Sequence, residues 1–329
     1  MNYNLFLAGF AIVGTVLFSN YKSSGVELSS APLFFEDSLE LSHKAQVELG
    51  RLLFYEKALS RDSTISCATC HKQELAFTDG KIKSVGIRDQ VVSRNAPTLT
   101  NVGNRPYLLL DGVNPSLEAQ TIVPIQEHKE FDFNIYLIIN RLMNNPRYVD
   151  LALKGFGTEI THYVYSRSLA EFERTLISDN SPYDRFVRGD KESLNDSQKR
   201  GRDIFFNKLY CSECHSGHDL TTDALVNNGL YEVYADSGRM RLTEKEIDRA
   251  VFKVPTLRNI EVTAPYMHDG SIVSLRGVVE HYSSGGYDHP AKGKVIVPFE
   301  ISEEQKTDLI NFLKALTDEE FLTNPNFSP

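Results

Sequence analysis

Two short segments carry residues able to do chemistry, C-A-T-C-H at 67–71 and C-S-E-C-H at 211–215. Each sets two cysteines three apart, with a histidine directly behind the second. Cys67, Cys70, Cys211 and Cys214 are all the cysteine in the chain. A disulfide framework would spread its cysteines to close long loops, and these come as tight pairs. Zinc knuckles normally lie within about 15–20 residues of each other, whereas roughly 140 residues separate these two. A redox dithiol needs neither a second copy nor the histidine. Covalent haem c uses every residue present: two thiolates add to the haem vinyls and the adjacent imidazole binds iron. His71 and His215 are then the two proximal ligands. His43, His128, His162, His218 and His289 have no motif around them and are expected to serve the surface or local hydrogen bonds.

Composition narrows the context. At 329 residues the chain can hold two ordinary domains, and 41% hydrophobic with 24% charged residues reads as globular. A formal charge of −9 excludes a nucleic-acid partner, which would need a surplus of Lys and Arg against phosphate. From Asn2 to Tyr21 there is no charge, and the apolar stretch from Leu5 to Phe18 falls short of the ~20 residues of a spanning helix. Residues 1–24 are therefore expected to be a secretory signal peptide, with an uncleaved N-terminal membrane anchor as the alternative. Either places the rest of the chain outside the cytoplasm, in the periplasm.

The motifs must be held by helices. Upstream of each lies G-R-x-x-F on an amphipathic helical pattern, so that Gly50, Arg51 and Phe54 answer to Gly201, Arg202 and Phe205. Downstream of each comes a closing helix, from Ser166 and from Ser302, the latter with capping-box chemistry. The reading is a mainly α chain of two tandem cytochrome c-type haem domains, 25–187 and 188–329. The polar, turn-rich stretch 178–198 is the natural link.

In these landmarks the sequence resembles the bacterial dihaem cytochrome c peroxidases and their MauG-like relatives. The resemblance spans roughly residues 35–325. It runs in order through C-A-T-C-H, "RNAPTL" at 94–99, "SLEAQTIVPIQEHKE" at 116–130, "SPYDRFVRGD" at 181–190, C-S-E-C-H and "VPTLRNIEVTAPYMHDGSI" at 254–272. It implies a peroxide-reducing N-terminal haem fed with electrons by the C-terminal one. Gln120 and Glu130, ten residues apart with Pro124 between them, match the family's distal pair. There an amide orients peroxide and a carboxylate moves its proton. Glu127 is the competing carboxylate.

Three positions depart from the peroxidase pattern. The region after His71 holds no histidine before His128, so the distal histidine of the peroxidases has no counterpart and the first iron should be open as made. Tyr282, fourteen residues after His268, stands where the peroxidases place a methionine ligand and MauG-like enzymes a tyrosine. Met267 is its rival as distal ligand of the second iron. Leu110 stands where the family commonly has a bridging Trp, and the chain has no Trp at all. Its fifteen tyrosines, Tyr107 among them, could serve instead. The resemblance also implies an interdomain calcium ion held by Asn95, Thr263 and Pro265, whose oxygen donors suit a hard cation.

The resulting expectation is an exported dihaem c peroxidase that reduces hydrogen peroxide with electrons from a small cytochrome c or cupredoxin. A MauG-like oxidase of a protein or organic substrate, and a non-catalytic dihaem electron carrier, are the alternatives. A homodimer is left open.

Overall fold

The computed structural model describes residues 33–329, so the expected signal or anchor segment lies outside the described residues. Six helices carry most of the architecture: α1 (Leu33–Tyr55), α2 (Pro146–Phe156), α3 (His162–Arg174), α4 (Asp196–Asp203), α5 (Leu275–Ser283) and α6 (Glu303–Lys314). A short α7 (Glu319–Thr323) follows. Among the described residues the strands are two antiparallel pieces of two residues each, β1 (Leu225–Val226) and β2 (Phe252–Lys253). The chain is mainly α, as its patterning predicts. No helix among the described residues is long and apolar enough to cross a membrane.

The internal repeat is a repeat of packing. In the first half α1 crosses α3, and in the second α4 crosses α6. Both crossings are closed by glycine and by an aromatic pair. Phe54 meets Phe172 at 5.3 Å with ring planes 59° apart, and Phe205 meets Phe312 at 5.3 Å and 59°. Asparagine and serine start the second pair: Asn195 and Ser302 form capping boxes with Gln198 and Gln305. α4 then runs into a wider π turn over Ile204–Lys208, which delivers the chain to the second cysteine motif.

Each half has its own core. Leu49, Leu53, Phe54, Phe77, Ile125, Tyr165 and Phe172 are buried in the first, and Phe205, Leu275, Leu309, Phe312 and Leu316 in the second. The chain's end crosses back. Phe321, Leu322 and Phe327 pack into the first core, where Phe321 meets Phe77 at 5.6 Å. Tyr55 Oη donates to the Phe327 carbonyl at 2.6 Å. Burying one such aromatic is worth about 1.5–3 kcal/mol, so the last turns of the chain clamp the two halves together.

The stretch 178–198 is more structured than its composition predicts. Ser181 caps a short helix over Pro182–Val187, and Asp184 in it forms a buried bidentate pair with Arg258 at 2.8 and 2.9 Å. Beside it Asn101 donates to Asp219 at 2.6 Å and accepts from Ser178 N at 2.7 Å, while Asn259 donates to Ser178 Oγ and accepts from Asp318 N. Buried polar groups of this kind must all be satisfied. The link is therefore a fixed joint.

Candidate active site

Cys67–Cys70 forms a single helical turn, closed by Ser66 N donating to Thr69 Oγ1 at 3.0 Å and His71 N to the Cys67 carbonyl at 3.0 Å. The turn leaves His71 aimed inward. Its Nδ1 meets the Phe77 carbonyl at 2.7 Å, presented by left-handed backbone at Ala76 and Phe77. A carbonyl can only accept, so Nδ1 carries the proton and Nε2 keeps its lone pair. The second motif repeats the device: His215 N donates to the Cys211 carbonyl at 2.9 Å, and His215 Nδ1 faces the Leu220 carbonyl at 3.3 Å. Burial holds both imidazoles below their usual pKa, His215 at about 4, so both are neutral as an iron ligand must be. All four cysteines are free thiols rather than disulfides. Burial pushes each thiol up, Cys70 and Cys211 to about 11.

Both turns open onto one continuous cavity of about 1840 Å³, whose lining includes all four cysteines and both histidines. That exceeds the ~300–1,000 Å³ of an ordinary small-ligand site, and Leu, Val and Phe side chains supply much of the wall. Cations break the apolar lining. Arg105, whose buried Nε has no partner, and Lys253 line it together, with Arg94 and Arg241 beyond. Thiols to bond, neutral imidazoles to ligate, apolar walls and a guanidinium that, though paired with Asp219 and Asp223, keeps one buried N–H unpartnered for a carboxylate are a donor set that fits two haem c groups.

Glu130 and Gln120 line this cavity together with His71, Pro124 and Glu127. Glu130 is half-buried and pinned through its backbone: its N donates to the Glu127 carbonyl at 3.0 Å, and its carbonyl accepts from Ile87 N at 3.1 Å. Gly86 allows this approach, since a Cβ there would stand 1.9 Å from the Lys129 carbonyl. Burial, and then the like charge of Glu127, push the Glu130 carboxyl up to about 7. Glu127 is exposed. Gln120 ends the turn Leu117–Gln120, and its Oε1 accepts from Asn114 Nδ2, which leaves its own NH₂ free to donate.

On the second side, Tyr282 on α5 and Met267 both line the cavity. Asn228 Nδ2 donates to Met267 Sδ at 3.3 Å. Burial raises the Tyr282 phenol, so it is neutral unless a metal takes its proton. Asn95 ties two segments together, its N donating to the His268 carbonyl at 2.9 Å and its Nδ2 to the Lys81 carbonyl at 2.8 Å. Thr263 and Pro265 line the same cavity. Tyr107 is absent from that lining and instead donates to the Asp223 carbonyl.

Sequence reasoning passed over several cavity residues. Glu173 on α3 is pushed up to about 8 by burial. Its signal was present, because it stands four residues after core Leu169 and so shares its helical face. Tyr231 had no such signal, since it lies on irregular backbone, and His268, stacked on Phe252 at 4.2 Å, served the sequence reading only as the landmark from which Tyr282 is counted.

Two C-x-x-C-H turns opening onto one large cavity in a mainly helical chain define a di-haem protein of c type. The profile of the family described as di-haem cytochrome c peroxidase matches residues 44–192. The chain is 36% identical over 278 residues to the methylamine utilization protein MauG of Methylorubrum extorquens, covering 83% of this chain and 78% of that one. It is 31% identical over 305 residues to the cytochrome c551 peroxidase of Nitrosomonas europaea, covering 91% and 88%. Among solved structures, a MauG-like protein associated with microbial copper homeostasis superposes with a TM-score of 0.82 at 31% identity, covering 87% of this chain and 93% of that one. The chain belongs to the di-haem cytochrome c peroxidase family, and it is an oxidoreductase of that class.

Proposed function

We propose that the protein reduces hydrogen peroxide to water at the first motif, with electrons that a small exported cytochrome c or cupredoxin delivers through the second. The observation that carries this reading is Glu130, a carboxyl held near pKa 7 in the cavity that His71 lines. A group poised there can take a proton and return it at neutral pH.

Cys67 and Cys70 would hold the first haem with His71 as its ligand; Cys211 and Cys214 would hold the second, with His215 and Tyr282, the latter in preference to Met267, as its ligands. The haem irons supply the redox chemistry. Gln120 uses its free NH₂ to orient peroxide. Glu130 accepts the proton of the near oxygen and gives it to the far one, which leaves as water. The balance is H₂O₂ with two electrons and two protons to two waters. Two modules divided near residue 188, an exported location, and a calcium ion on Asn95, Thr263 and Pro265 complete the reading.

A MauG-like oxidase of a protein or organic substrate is the second reading, favoured by Tyr282 and Pro124 at the places such enzymes use. The absence of Trp weighs against it. Titration of the reduced holoprotein with peroxide tests both against a plain electron carrier. Rapid consumption of one peroxide per two electrons, and steady turnover with a reduced small cytochrome or copper protein, is expected. Inertness to peroxide would defeat the peroxidase; consumption without turnover on any such donor would move the reading to the oxidase.

A further inference from the structure

Leu110, at the place of the missing Trp, packs against a cluster of Leu230, Tyr234, Ala250 and Phe252, which Tyr231 and Met267 join. The aromatic character lost at position 110 is therefore present beside it. The Tyr231 ring stands 5.5 Å from Tyr234 and 6.4 Å from His268, both edge-on, and Tyr234 lies 5.3 Å from His289. Tyr231 and Asp269 both line the cavity. Two residues on, Val233 is 84% exposed, so the same loop reaches solvent.

What singles out Tyr231 is its partner. Tyr231 Oη donates to the Asp269 carboxylate at 2.6 Å. Taking an electron from a phenol makes its proton strongly acidic, so the loss is easy only where a base already holds that proton. A carboxylate at hydrogen-bond distance is such a base. Of the other cavity tyrosines, Tyr266 donates to the Ile260 carbonyl, Tyr282 faces Asn228, and Tyr210, 62% exposed, has no carboxylate at its phenol. Tyr234, in the same cluster, donates to the amide oxygen of Asn227. Tyr148 does meet a carboxylate, Glu56, but does not line the cavity.

We propose that Tyr231, with Asp269 as its proton acceptor, is a redox-active tyrosine that passes single electrons between the cavity and the surface. One electron leaves the ring for a peroxide-derived oxidant in the cavity, and the phenolic proton moves to Asp269. A neutral tyrosyl radical and a protonated carboxyl remain. An electron from a reductant of the small-redox-protein or phenol class, with that same proton, restores the phenol. The source of the oxidant rests on the peroxidase reading; the reactivity of the pair does not.

The test therefore has two arms, both on the holoprotein. In the first, freezing after one equivalent of peroxide should give a tyrosyl signal by electron paramagnetic resonance. Tyr231→Phe should abolish it and Asp269→Asn should cut it severalfold, with the optical spectra of both haems unchanged. In the second, which needs no peroxide, photo-oxidised ruthenium trisbipyridine is the oxidant, a nitroso compound traps the radical and peptide mapping locates it. The adduct should fall on Tyr231 ahead of Tyr136 and Tyr163, which are 72% and 59% exposed. A radical that persists in Tyr231→Phe, or adducts distributed by exposure alone, would overturn the proposal. Unconsumed peroxide would sink the peroxidase reading while the trapping arm still decides the tyrosine.

Discussion

Gly50 of α1 lies so close to Ser168 of α3 that a Cβ on the glycine would stand 1.9 Å from the serine carbonyl. Gly201 of α4 meets Asp308 of α6 in the same way, again at 1.9 Å. A backbone carbonyl cannot move aside as a side chain tip can. Gly50→Ala or Gly201→Ala must then push apart the helices that frame a cysteine motif, and overpacking of this kind costs about 1–3 kcal/mol. Each variant should melt several degrees lower, with reduced haem incorporation in its own half alone. Unchanged melting and haem content would show that the crossings yield.

These glycines mark what the sequence made legible. G-R-x-x-F before each motif predicted equivalent helices, and the packing repeats down to the Phe54 and Phe205 pairs. The cysteine turns were legible because covalent attachment fixes spacing. Less was visible where distant segments converge: nothing local in Phe321 or Phe327 says that the chain's end enters the first core. The 178–198 stretch is polar because Ser178 and Asp184 make buried bonds to residues far along the chain, while Ser181 caps the short helix that carries Asp184. Polarity alone cannot tell that from a solvated linker. Tyr231 was invisible because irregular backbone has no period to read, and His268, legible as a motif landmark, gave no sign that it would line the cavity.

Glu130 offers a pH test with a definite sign. Its carboxyl is raised from 4.5 to about 7 in the fold, and it must be ionised to accept a proton, so peroxide turnover should rise as pH climbs through about 7. Glu130→Gln should keep both haems and lose about 10²–10⁴-fold in turnover. Glu127→Gln should keep the plateau and move the midpoint down, because it removes the like charge. In stability the sign reverses: the raised pKa favours the protonated fold, and that contribution is lost above about pH 7. The melting gain of Glu130→Gln over the native chain should therefore be larger near pH 8 than near pH 5. A loss of turnover in Glu127→Gln instead would put the acid–base role on Glu127.

With no histidine between His71 and His128, the residues that line the cavity with His71 and are proposed to serve the first iron's open side, Gln120, Pro124 and Glu130, include no imidazole or sulfur donor. The oxidised protein as isolated should therefore show a high-spin haem component, and should react with peroxide without prior reduction. A wholly low-spin spectrum, or a lag removed only by pre-reduction, would mean that some other residue closes the site.

Tyr282 and Met267 make the last test, because both line the cavity and Asn228 bonds to the methionine sulfur at 3.3 Å. Phenolate is a hard anionic donor that favours ferric iron and lowers the potential, whereas thioether sulfur raises it. The buried Tyr282 phenol ordinarily keeps its proton, so ligation must displace it, and the ligated state should persist to a pH well below the phenol's own range. Tyr282→Phe should then shift the optical and magnetic spectra of the second haem alone and raise its potential. Met267→Leu should leave both nearly as they are. If only the methionine variant alters the second haem, sulfur is the ligand and Tyr282 is a neighbour held by Asn228.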